Sequence, residues 1–398
     1  MKIAMIHTPF LTRTGGERQI LTLALELQKR GHQVEIFTNY ADKNTYPELF
    51  SKLTVNVVPF DSKITKPLDK VFKKYNVFFK NYAYACPSML ALAKKVTKDF
   101  DIINNHNFPT EWAAFLAKNR LKIPVVWICN EPPFWYLHPQ QRQGLNKFNW
   151  PVYSIFDKYA VKQVDEILAL SNVDAKTIWE TYHRSSRVVR SGVNVDFFHN
   201  TSGNIVRKKY SLENDFVLLQ VGTLVYYKRQ EDSITALAQL SKKHDNVKLI
   251  LDGGGNQKPL IALAKELGVQ DKIIFLHASS DEELAATYAA CDVFLYPSDS
   301  TWGLVVVEAM AASKPIIISR KSGASEIIED NITGFVVNHE KPMEIADRLE
   351  LLINNPRLIS ALGDNCYHYV KKNLSWEKFA KDIENIFQQI IEHSCREN

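Results

Sequence analysis

The sequence predicts an α/β protein with two domains, each built on a doubly wound parallel β-sheet of Rossmann-like type. The chain has 398 residues, which is more than one hydrophobic core usually supports. Short runs rich in β-branched residues alternate with longer amphipathic stretches, a pattern that favours parallel strands joined by crossover helices. The alternation occurs in two series, separated by a polar stretch near residue 200.

The first series forms the predicted N-terminal domain, residues 1–198. It begins with a strand in KIAMIH, followed by a helix from about Arg18 to Arg30. The later strand candidates are QVEIFT, FDIINN, PVVWIC and DEILALS. Each run is short, apolar and bounded by polar or turn residues, as buried strands are.

The second series forms the predicted C-terminal domain, residues 199–374. Its strand candidates are FVLLQVG, NVKLILDGGG, KIIFLH, DVFLYPS and PIIISR. In the last segment, residues 375–398, apolar residues recur at helical spacing from about Trp376 to His393, so one face of this helix should be buried. We expect the helix to pack back across the domain interface, with the two domains facing a central cleft.

The composition is that of a folded globular protein. Hydrophobic residues make up 45% of the chain, and the net charge of +5 favours anionic partners without identifying one. No apolar run approaches the ~20 residues of a membrane-spanning helix. The opening segment is too short for a secretory signal. We therefore expect a cytoplasmic protein.

The cysteines and one acidic pair bear on metal binding. The five cysteines are far apart and lack metal-ligand spacing, which is typical of reduced thiols. Asp99 and Asp101 resemble a metal-binding carboxylate pair, but they precede a strand, whereas ligands of open parallel sheets bind beyond the carboxyl ends of the strands. We expect no disulfide and no bound metal.

The segment YPSDSTWGLVVVEAMAASKPIII carries the most informative site candidates. A strand ends near Tyr296, a loop with Gly303 follows, and LVVVEAMAA predicts a helix. The N–H groups and dipole of such a helix N-terminus favour a diphosphate. Glu308, one turn into the helix, is placed to accept hydrogen bonds from a ribose or sugar diol. Alternatively, it is a solvated glutamate on a helix face.

Two basic residues follow the first strand of the C-terminal domain. In LLQVGTLVYYKRQ the strand ends at Gly222, and Lys228 and Arg229 come just before a helix. A lysine here can reach a β-phosphate as a mobile point charge, and an arginine can hold it with a planar fork. The alternative is that both are solvated loop residues.

The N-terminal domain offers a glycine loop and a histidine. Gly15 and Gly16 permit close backbone approach to a bound group, but they do not form the three-glycine dinucleotide fingerprint, which disfavours an NAD-dependent dehydrogenase. His106 follows the strand DIINN at the end where ligands bind, or is a structural histidine. The glutamate after VVWICN either contacts an acceptor or shapes a turn. The acceptor-binding candidates are Arg13, Glu17 and Glu131.

Residues 63–84 interleave lysines with aromatic residues. Basic charge beside exposed aromatic area is how a monotopic enzyme binds an anionic membrane surface. An amphipathic helix that buries its aromatic residues in the core fits the pattern equally well. No recognition module accompanies the patch, so nucleic acid is not an expected partner.

Taken together, the motifs resemble the retaining glycosyltransferases of family 4 (glycosyl transferases group 1), which have the GT-B fold. The likeness runs over nearly the whole chain in the family's order: GGERQILTLALELQKRGHQVEIFT, VVRSGVNVDFF, VGTLVYYKRQ, LDGGGN, ACDVFLYPS, WGLVVVEAMAASKPIII and SGASEIIEDNITGFVV. The resemblance implies transfer of a mannose- or glucose-type hexose from a UDP- or GDP-sugar, with retention at the anomeric carbon and without a metal or other cofactor.

The resemblance also implies roles for individual residues. Gly16 would lie beside the diphosphate, His106 near the donor sugar and Lys228 on the phosphates. Glu308 would bind the ribose, and the amides after Gly303 would stabilise the charge of the leaving nucleotide. The catalytic candidates are His106, Asp299, Ser300 and Glu308, and the donor-binding candidates are Gly15, Gly16, Gly222, Thr223, Lys228, Arg229, His277, Trp302, Gly303, Leu304, Val305 and Glu308.

Two positions depart from the family's pattern. Thr223 stands where the family usually has an arginine, so Arg229 is a candidate replacement for the missing phosphate cation. Ser300 stands at the first glutamate of the family's Glu-x7-Glu pair, and the adjacent Asp299 can supply a carboxylate. Three functions remain open: an enzyme that uses a lipid-linked or glycan acceptor at the cytoplasmic face of a membrane, a soluble enzyme with a small acceptor, and a silent nucleotide-sugar-binding subunit.

Overall fold

The protein is represented by a computed structural model, which describes residues 1–11, 13–58, 77–130, 132–133, 136, 145–277 and 280–397. The chain folds into two compact units. Met1–Arg190 and Phe379–Asn398 form the first unit, and Ser191–Lys378 forms the second. Each unit is built on one parallel β-sheet, which confirms the predicted fold class.

The first unit contains a seven-stranded sheet. Its elements in chain order are β1 (Lys2–Ile6), α1 (Gly15–Lys29), β2 (Gln33–Thr38), α2 (Pro47–Phe50), β3 (Thr54–Val57), α3 (Val77–Lys95), β4 (Ile102–His106), α4 (Thr110–Leu121), β5 (Val125–Ile128), α5 (Leu145–Lys162), β6 (Glu166–Ala169), α6 (Asn172–Tyr182) and β7 (Arg187–Val188). The strand order is β3-β2-β1-β4-β5-β6-β7.

The second unit contains a six-stranded sheet. Its elements are α7 (Val195–His199), α8 (Asn204–Lys209), β8 (Phe216–Val221), α9 (Gln230–Leu240), β9 (Val247–Asp252), α10 (Lys258–Glu266), β10 (Ile273–Leu276), α11 (Asp281–Ala290), β11 (Val293–Tyr296), α12 (Leu304–Ala311), β12 (Ile316–Ser319), β13 (Gly334–Val337), α13 (Pro342–Ile353) and α14 (Pro356–Asn373), and α15 (Trp376–Glu397) follows. The strand order is β10-β9-β8-β11-β12-β13.

Both sheets reverse their winding direction at the first strand. β1 lies between β2 and β4, and β8 lies between β9 and β11. Strands β5, β11 and β12 are buried along their whole length, as expected for a parallel sheet covered on both faces. Ligands of such sheets bind beyond the carboxyl ends of the strands at the point of reversal, where the residues that follow β1, β4, β8 and β11 lie.

The chain passes between the units earlier than the polar stretch near residue 200 suggested. The crossing falls between Arg190 and Ser191, and the polar stretch folds into α7 and α8 of the second unit. Most residues of the stretch are exposed to solvent, which accounts for its polarity. The Arg207 guanidinium donates to both carboxylate oxygens of Asp292, at 2.9 and 2.8 Å, and so anchors α8 to the residue before β11.

The C-terminal helix α15 joins the first unit from Phe379 onward. Its apolar face is buried, with Ile383 and Phe387 fully inaccessible to solvent. On the same helix, Glu384 accepts hydrogen bonds from Arg30 Nε at 2.6 Å and bonds His32 Nε2 at 2.7 Å. The helix that the amphipathic spacing predicted is therefore present. The contacts of Glu384 hold it against the end of α1 and the start of β2.

Candidate functional site

In the second unit, the N-terminus of α12 is brought over the end of β11 by Gly303. This glycine has φ 68° and ψ 82°, in the left-handed region that favours glycine. A Cβ at this position would lie 2.6 Å from the Tyr296 hydroxyl oxygen. The close approach aligns the first amides of α12, at Leu304 and Val305, with the strand end, and such amides have no partner within a helix.

Glu308 lies one turn into α12 and is not a solvated surface residue. It is 5% exposed, and the Tyr288 hydroxyl of α11 donates to its Oε2 at 2.9 Å. A buried glutamate needs hydrogen-bonding partners, and this tyrosine fixes the carboxylate in one orientation. Trp302, just before Gly303, is 1% exposed, so its ring packs in the interior of the unit.

Lys228 ends a short turn of helix, Tyr226–Lys228, that follows β8. Its ammonium group donates to the Tyr296 hydroxyl at 3.0 Å and lies 5.2 Å from the centre of the Tyr296 ring. The side chain passes over Gly222, where a Cβ would meet its Cδ and Cε at 3.8 Å. Lys228 therefore reaches the end of β11, the strand end from which the chain leads to α12.

The turn that carries Lys228 is held by a buried glutamine that the sequence analysis did not single out. Gln220 of β8 is 2% exposed, and its Nε2 donates to the Lys228 carbonyl oxygen at 2.7 Å. The Ser233 hydroxyl donates to Gln220 Oε1, also at 2.7 Å. The available signal was a single amide side chain in the otherwise apolar run FVLLQVG.

Ser300 belongs to a chain of hydroxyl groups. Its Oγ lies 2.8 Å from the Tyr296 hydroxyl and accepts a hydrogen bond from Ser298 Oγ at 2.8 Å. The neighbouring Asp299 carboxylate is about half exposed, 3.8 Å from the Lys321 ammonium group. Neutral hydroxyls thus surround the position where the family's pattern has a glutamate, and Tyr296 links them to Lys228.

Arg229 is already engaged by carboxylates. Its guanidinium forms a two-pronged ion pair with Asp232, at 2.9 and 2.7 Å, and also pairs with Glu231 at 3.1 Å. These hydrogen bonds raise its pKa further above the ordinary arginine value. Thr223 is exposed and accepts a hydrogen bond from Gln230 Nε2 through its carbonyl oxygen. Arg229 is therefore paired with carboxylates, whereas the Lys228 ammonium group donates to a neutral hydroxyl.

A cavity of about 300 Å³ lies at the ends of β9 and β10. Its lining residues include Asp252, Leu276, His277, Glu282 and Ala286. His277 is close to the glycine loop LDGGG, since a Cβ on Gly254 would lie 3.3 Å from its Cε1 atom. Because β9 is the neighbour of β8, the loop connects this cavity to the turn that carries Lys228.

In the first unit, His106 ends β4 and is fully buried. Its Nε2 lies 2.8 Å from Asn104 Oδ1, and its Nδ1 has no hydrogen-bond partner within the described part of the chain. Burial, and secondarily the neighbouring His7, lower its pKa well below the usual histidine value. Burial also lowers the pKa of His7 to about 4. Both imidazoles are therefore neutral at pH 7.

Gly16 lies against the residues that follow β4 and β5. A Cβ at this position would be 2.9 Å from Asn107 Nδ2 and 3.4 Å from Asn130 Nδ2. The start of α1 therefore approaches the carboxyl ends of these strands closely. Asn107 directly follows His106, so the glycine loop and the histidine meet at one edge of the sheet. Gly15 is the first residue of α1.

The structure gives Glu17 a local role. α1 begins at Gly15, not near Arg18, because Thr14 and Glu17 form a reciprocal capping box. Glu17 Oε1 also accepts from the Leu11 amide at 3.0 Å, and the side chain is 5% exposed. Arg13, in contrast, projects its guanidinium over the Tyr46 ring at 5.1 Å. Glu131, the third acceptor-binding candidate, lies outside the described residues.

In the residues described, no group of three or more His, Cys, Asp or Glu side chains is arranged to hold a metal ion. Likewise, no helix in the described ranges is long and apolar enough to cross a membrane.

Comparison with known families assigns both halves of the chain. The model of Glycosyltransferase Family 4 matches residues 13–197, and that of Glycosyl transferases group 1 matches residues 203–373. The uncharacterised glycosyltransferase MJ1607 of Methanocaldococcus jannaschii is 25% identical over 404 residues, covering 98% of this chain and 99% of the relative. A D-inositol 3-phosphate glycosyltransferase of Mycolicibacterium smegmatis is 27% identical over 385 residues, covering 90% and 84%.

Solved structures share the architecture. Anabaena HepE in complex with UDP and glucose superposes with a TM-score of 0.79 at 18% identity, covering 98% of this chain and 100% of HepE. Sucrose-phosphate synthase of Thermosynechococcus elongatus superposes with a TM-score of 0.80 at 18% identity, covering 98% and 99%. The matches agree with the motifs and with the two parallel sheets, and the chain belongs to the family 4 type of glycosyltransferases with the GT-B fold.

Proposed function

We propose that this glycosyltransferase transfers a mannose- or glucose-type hexose from a UDP- or GDP-sugar, with retention at the anomeric carbon and without a metal ion. The observation that carries the proposal is that the Lys228 ammonium group and Gly303, the residue from which α12 begins, both lie close to the Tyr296 hydroxyl, which brings a lysine and a helix N-terminus together. Both features favour negative charge. They lie at the switch point of the sheet, where nucleotides bind in folds of this kind.

Each part of the donor has a proposed position in the second unit. The diphosphate binds Lys228 and the amides of Leu304 and Val305. Glu308 accepts hydrogen bonds from the ribose, and the cavity beside His277 takes the base. Glu308 is bonded to Tyr288 of α11, and α11 also lines the cavity, so the proposed ribose and base positions share this helix.

The proposed reaction breaks the bond between the sugar C1 and the β-phosphate oxygen and forms a bond from C1 to an acceptor oxygen. The electron pair of the broken bond leaves with the nucleoside diphosphate, and the departing β-phosphate oxygen takes the proton that the acceptor hydroxyl loses. Lys228 and the dipole of α12 stabilise that developing charge, the largest electrostatic requirement of the step, so no metal ion is needed. In the first unit, we propose that neutral His106 hydrogen-bonds the transferred sugar and that Gly16 leaves room for the diphosphate.

The departures at Thr223 and Ser300 bear on the donor. We propose that Lys228 alone supplies the phosphate-binding cation, because Arg229, the candidate replacement for the missing arginine, is paired with Asp232 and Glu231. In place of a carboxylate, the hydroxyl chain of Tyr296 and Ser300, with Asp299 adjacent, contacts a sugar hydroxyl. Support for a UDP-sugar comes from HepE, which was solved with UDP-glucose. The silent-subunit alternative rests on the same two departures and predicts nucleotide binding without transfer.

For the acceptor, we propose a lipid-linked or glycan molecule at the cytoplasmic face of a membrane. The lysine and aromatic stretch that suggested this, residues 63–84, lies mostly outside the described residues. A small-molecule acceptor is the alternative, favoured by the D-inositol 3-phosphate glycosyltransferases among the relatives. Turnover of a water-soluble acceptor without lipid or detergent would decide for that alternative.

Thermal unfolding with UDP, GDP and ADP tests the donor site. A ligand present at a hundredfold above its dissociation constant stabilises the protein by about 2.7 kcal/mol. We expect a raised melting temperature with UDP or GDP, lost in Lys228→Ala and kept in the matched control Lys265→Ala, whose side chain is exposed on α10. An unchanged melting temperature with every nucleotide would overturn the proposed donor site.

A further inference from the structure

Helices α3, α4 and α5 expose basic side chains and bury their acidic ones, as far as the structure describes them. These three helices contact one another in the first unit. Their sequences contain only two acidic residues, Glu111 and Asp157, and both are fully buried. Four lysines on α3 and α5 are exposed to solvent: Lys94, Lys95, Lys158 and Lys162. The outward side therefore carries positive charge that no carboxylate on these helices offsets at the surface.

An apolar stripe runs along the same side of α5. Val152 is 70% exposed, Ile155 is 72% exposed and Tyr159 is 55% exposed. Their spacing of three and four residues places them on one face of the helix. The opposite face is buried, with Asp157 and Ala160 inaccessible to solvent. On the neighbouring α3, Leu90 is 43% exposed.

We propose that this face, defined by Val152, Ile155 and Tyr159 with Lys158 and Lys162, docks on the surface of an anionic phospholipid bilayer. Apolar side chains flanked by lysines match the acyl-chain boundary and the phosphate layer of such a surface. The apolar groups enter the boundary of the acyl chains, and the ammonium groups remain at the phosphate level. A tyrosine is favoured at that depth because its ring is apolar and its hydroxyl is polar.

Charge favours a bilayer over a second copy of the chain as the occupant. In a symmetric dimer through this face, the lysines of one copy would meet those of the other. The described surface of the three helices offers no carboxylate to pair with them, whereas an anionic bilayer supplies the opposite charge. The Lys158 ammonium group lies 5.6 Å from the centre of the Tyr136 ring.

This inference deepens the proposed membrane association, and it assigns the contact to α5 instead of relying on residues 63–84. It rests on the proposed function in one respect: docking on a membrane serves the enzyme because the proposed acceptor is lipid-linked. The two can fail separately, because vesicle binding is measured without nucleotide and nucleotide binding without vesicles.

Co-sedimentation of the full-length protein with vesicles tests the inference. We expect binding to vesicles of equal parts phosphatidylglycerol and phosphatidylcholine, weak binding to pure phosphatidylcholine, and a decline as NaCl is raised. Lys158→Gln with Lys162→Gln should weaken partitioning roughly 30-fold, from the usual contribution of each lysine near an anionic surface. Val152→Ser with Ile155→Ser should weaken it by at least about tenfold.

Matched controls come from elsewhere in the first unit. Lys43→Gln with Lys52→Gln removes two exposed lysines, and Trp179→Ser removes an aromatic residue that is 55% exposed. Both controls should bind vesicles as the unmodified protein does, and all variants should keep the melting-temperature shift with nucleotide. Equal binding by the α5 variants and the unmodified protein would overturn the proposal. So would the absence of vesicle binding, or a dimer that Val152→Ser with Ile155→Ser dissociates.

Discussion

Replacing Gln220 by leucine should loosen the turn that carries Lys228. The substitution replaces the amide by an apolar side chain of similar size in β8. It removes the hydrogen bond to the Lys228 carbonyl and the acceptor for the Ser233 hydroxyl, both 2.7 Å long. Ser233 is fully buried, so its hydroxyl is left without an acceptor, which costs about 1–3 kcal/mol. Loss of the bond to Lys228 adds about 1 kcal/mol.

Amide hydrogen exchange measures this effect locally, so it does not depend on two-state unfolding of a two-unit protein. The Lys228 amide donates to the Val225 carbonyl within the turn, and a loss of about 2 kcal/mol should speed its exchange roughly 30-fold. Affinity for the nucleoside diphosphate should fall as well, because the ammonium group is no longer held over the strand end.

Ser233→Ala is the control that separates the two bonds. It removes the hydroxyl but leaves Gln220 bonded to the Lys228 carbonyl, so nucleotide affinity should stay close to normal. Combining it with Gln220→Leu should restore about 1 kcal/mol of stability, because the orphaned hydroxyl is gone, without restoring affinity. Normal exchange and normal affinity in Gln220→Leu would refute the reasoning that this glutamine positions Lys228.

Three further predictions follow from the two units. Glu308→Gln should weaken nucleoside diphosphate binding about tenfold in calorimetry but leave the melting temperature nearly unchanged, because the amide oxygen still accepts from Tyr288. Gly303→Ala should destabilise the second unit by at least about 1–2 kcal/mol in chemical denaturation, because an alanine at φ 68° is strained and its Cβ meets Tyr296. Burial lowers the His7 pKa to about 4 in the folded protein, below its value in the unfolded chain. The unfolded chain therefore binds more protons between these two values. The free energy of unfolding should fall by up to about 3 kcal/mol as pH falls from about 6.5 toward 4. Urea unfolding against pH should show a shallower loss in His7→Phe, and an equal loss would contradict the assignment.

Local sequence patterns were sufficient to predict the two sheets and the strand and helix that frame the candidate site. The runs DVFLYPS and LVVVEAMAA predicted a strand that ends at Tyr296 and a helix that starts just after Gly303, and both are present. The sequence predicts these elements because the burial of a strand and the turn at a glycine depend on consecutive residues.

The contacts that complete the site are long-range, and a single sequence does not display them. Lys228 and Tyr296 are 68 residues apart in the sequence. The residues around either one do not predict their contact. Gln220 was read as part of an apolar strand because its two partners come later in the chain. Glu17 stays a predicted acceptor-binding residue, and the structure adds that its carboxylate caps α1, a local contact of the threonine and glutamate three residues apart.

Release of the nucleotide from a panel of UDP- and GDP-sugars, measured in the presence of EDTA, tests the central claim most directly. The account predicts that one of the donors is cleaved, that EDTA has no effect, and that Lys228→Ala abolishes the release while Lys265→Ala does not. A rate that EDTA abolishes, or a Lys228→Ala variant as active as the unmodified enzyme, would contradict it.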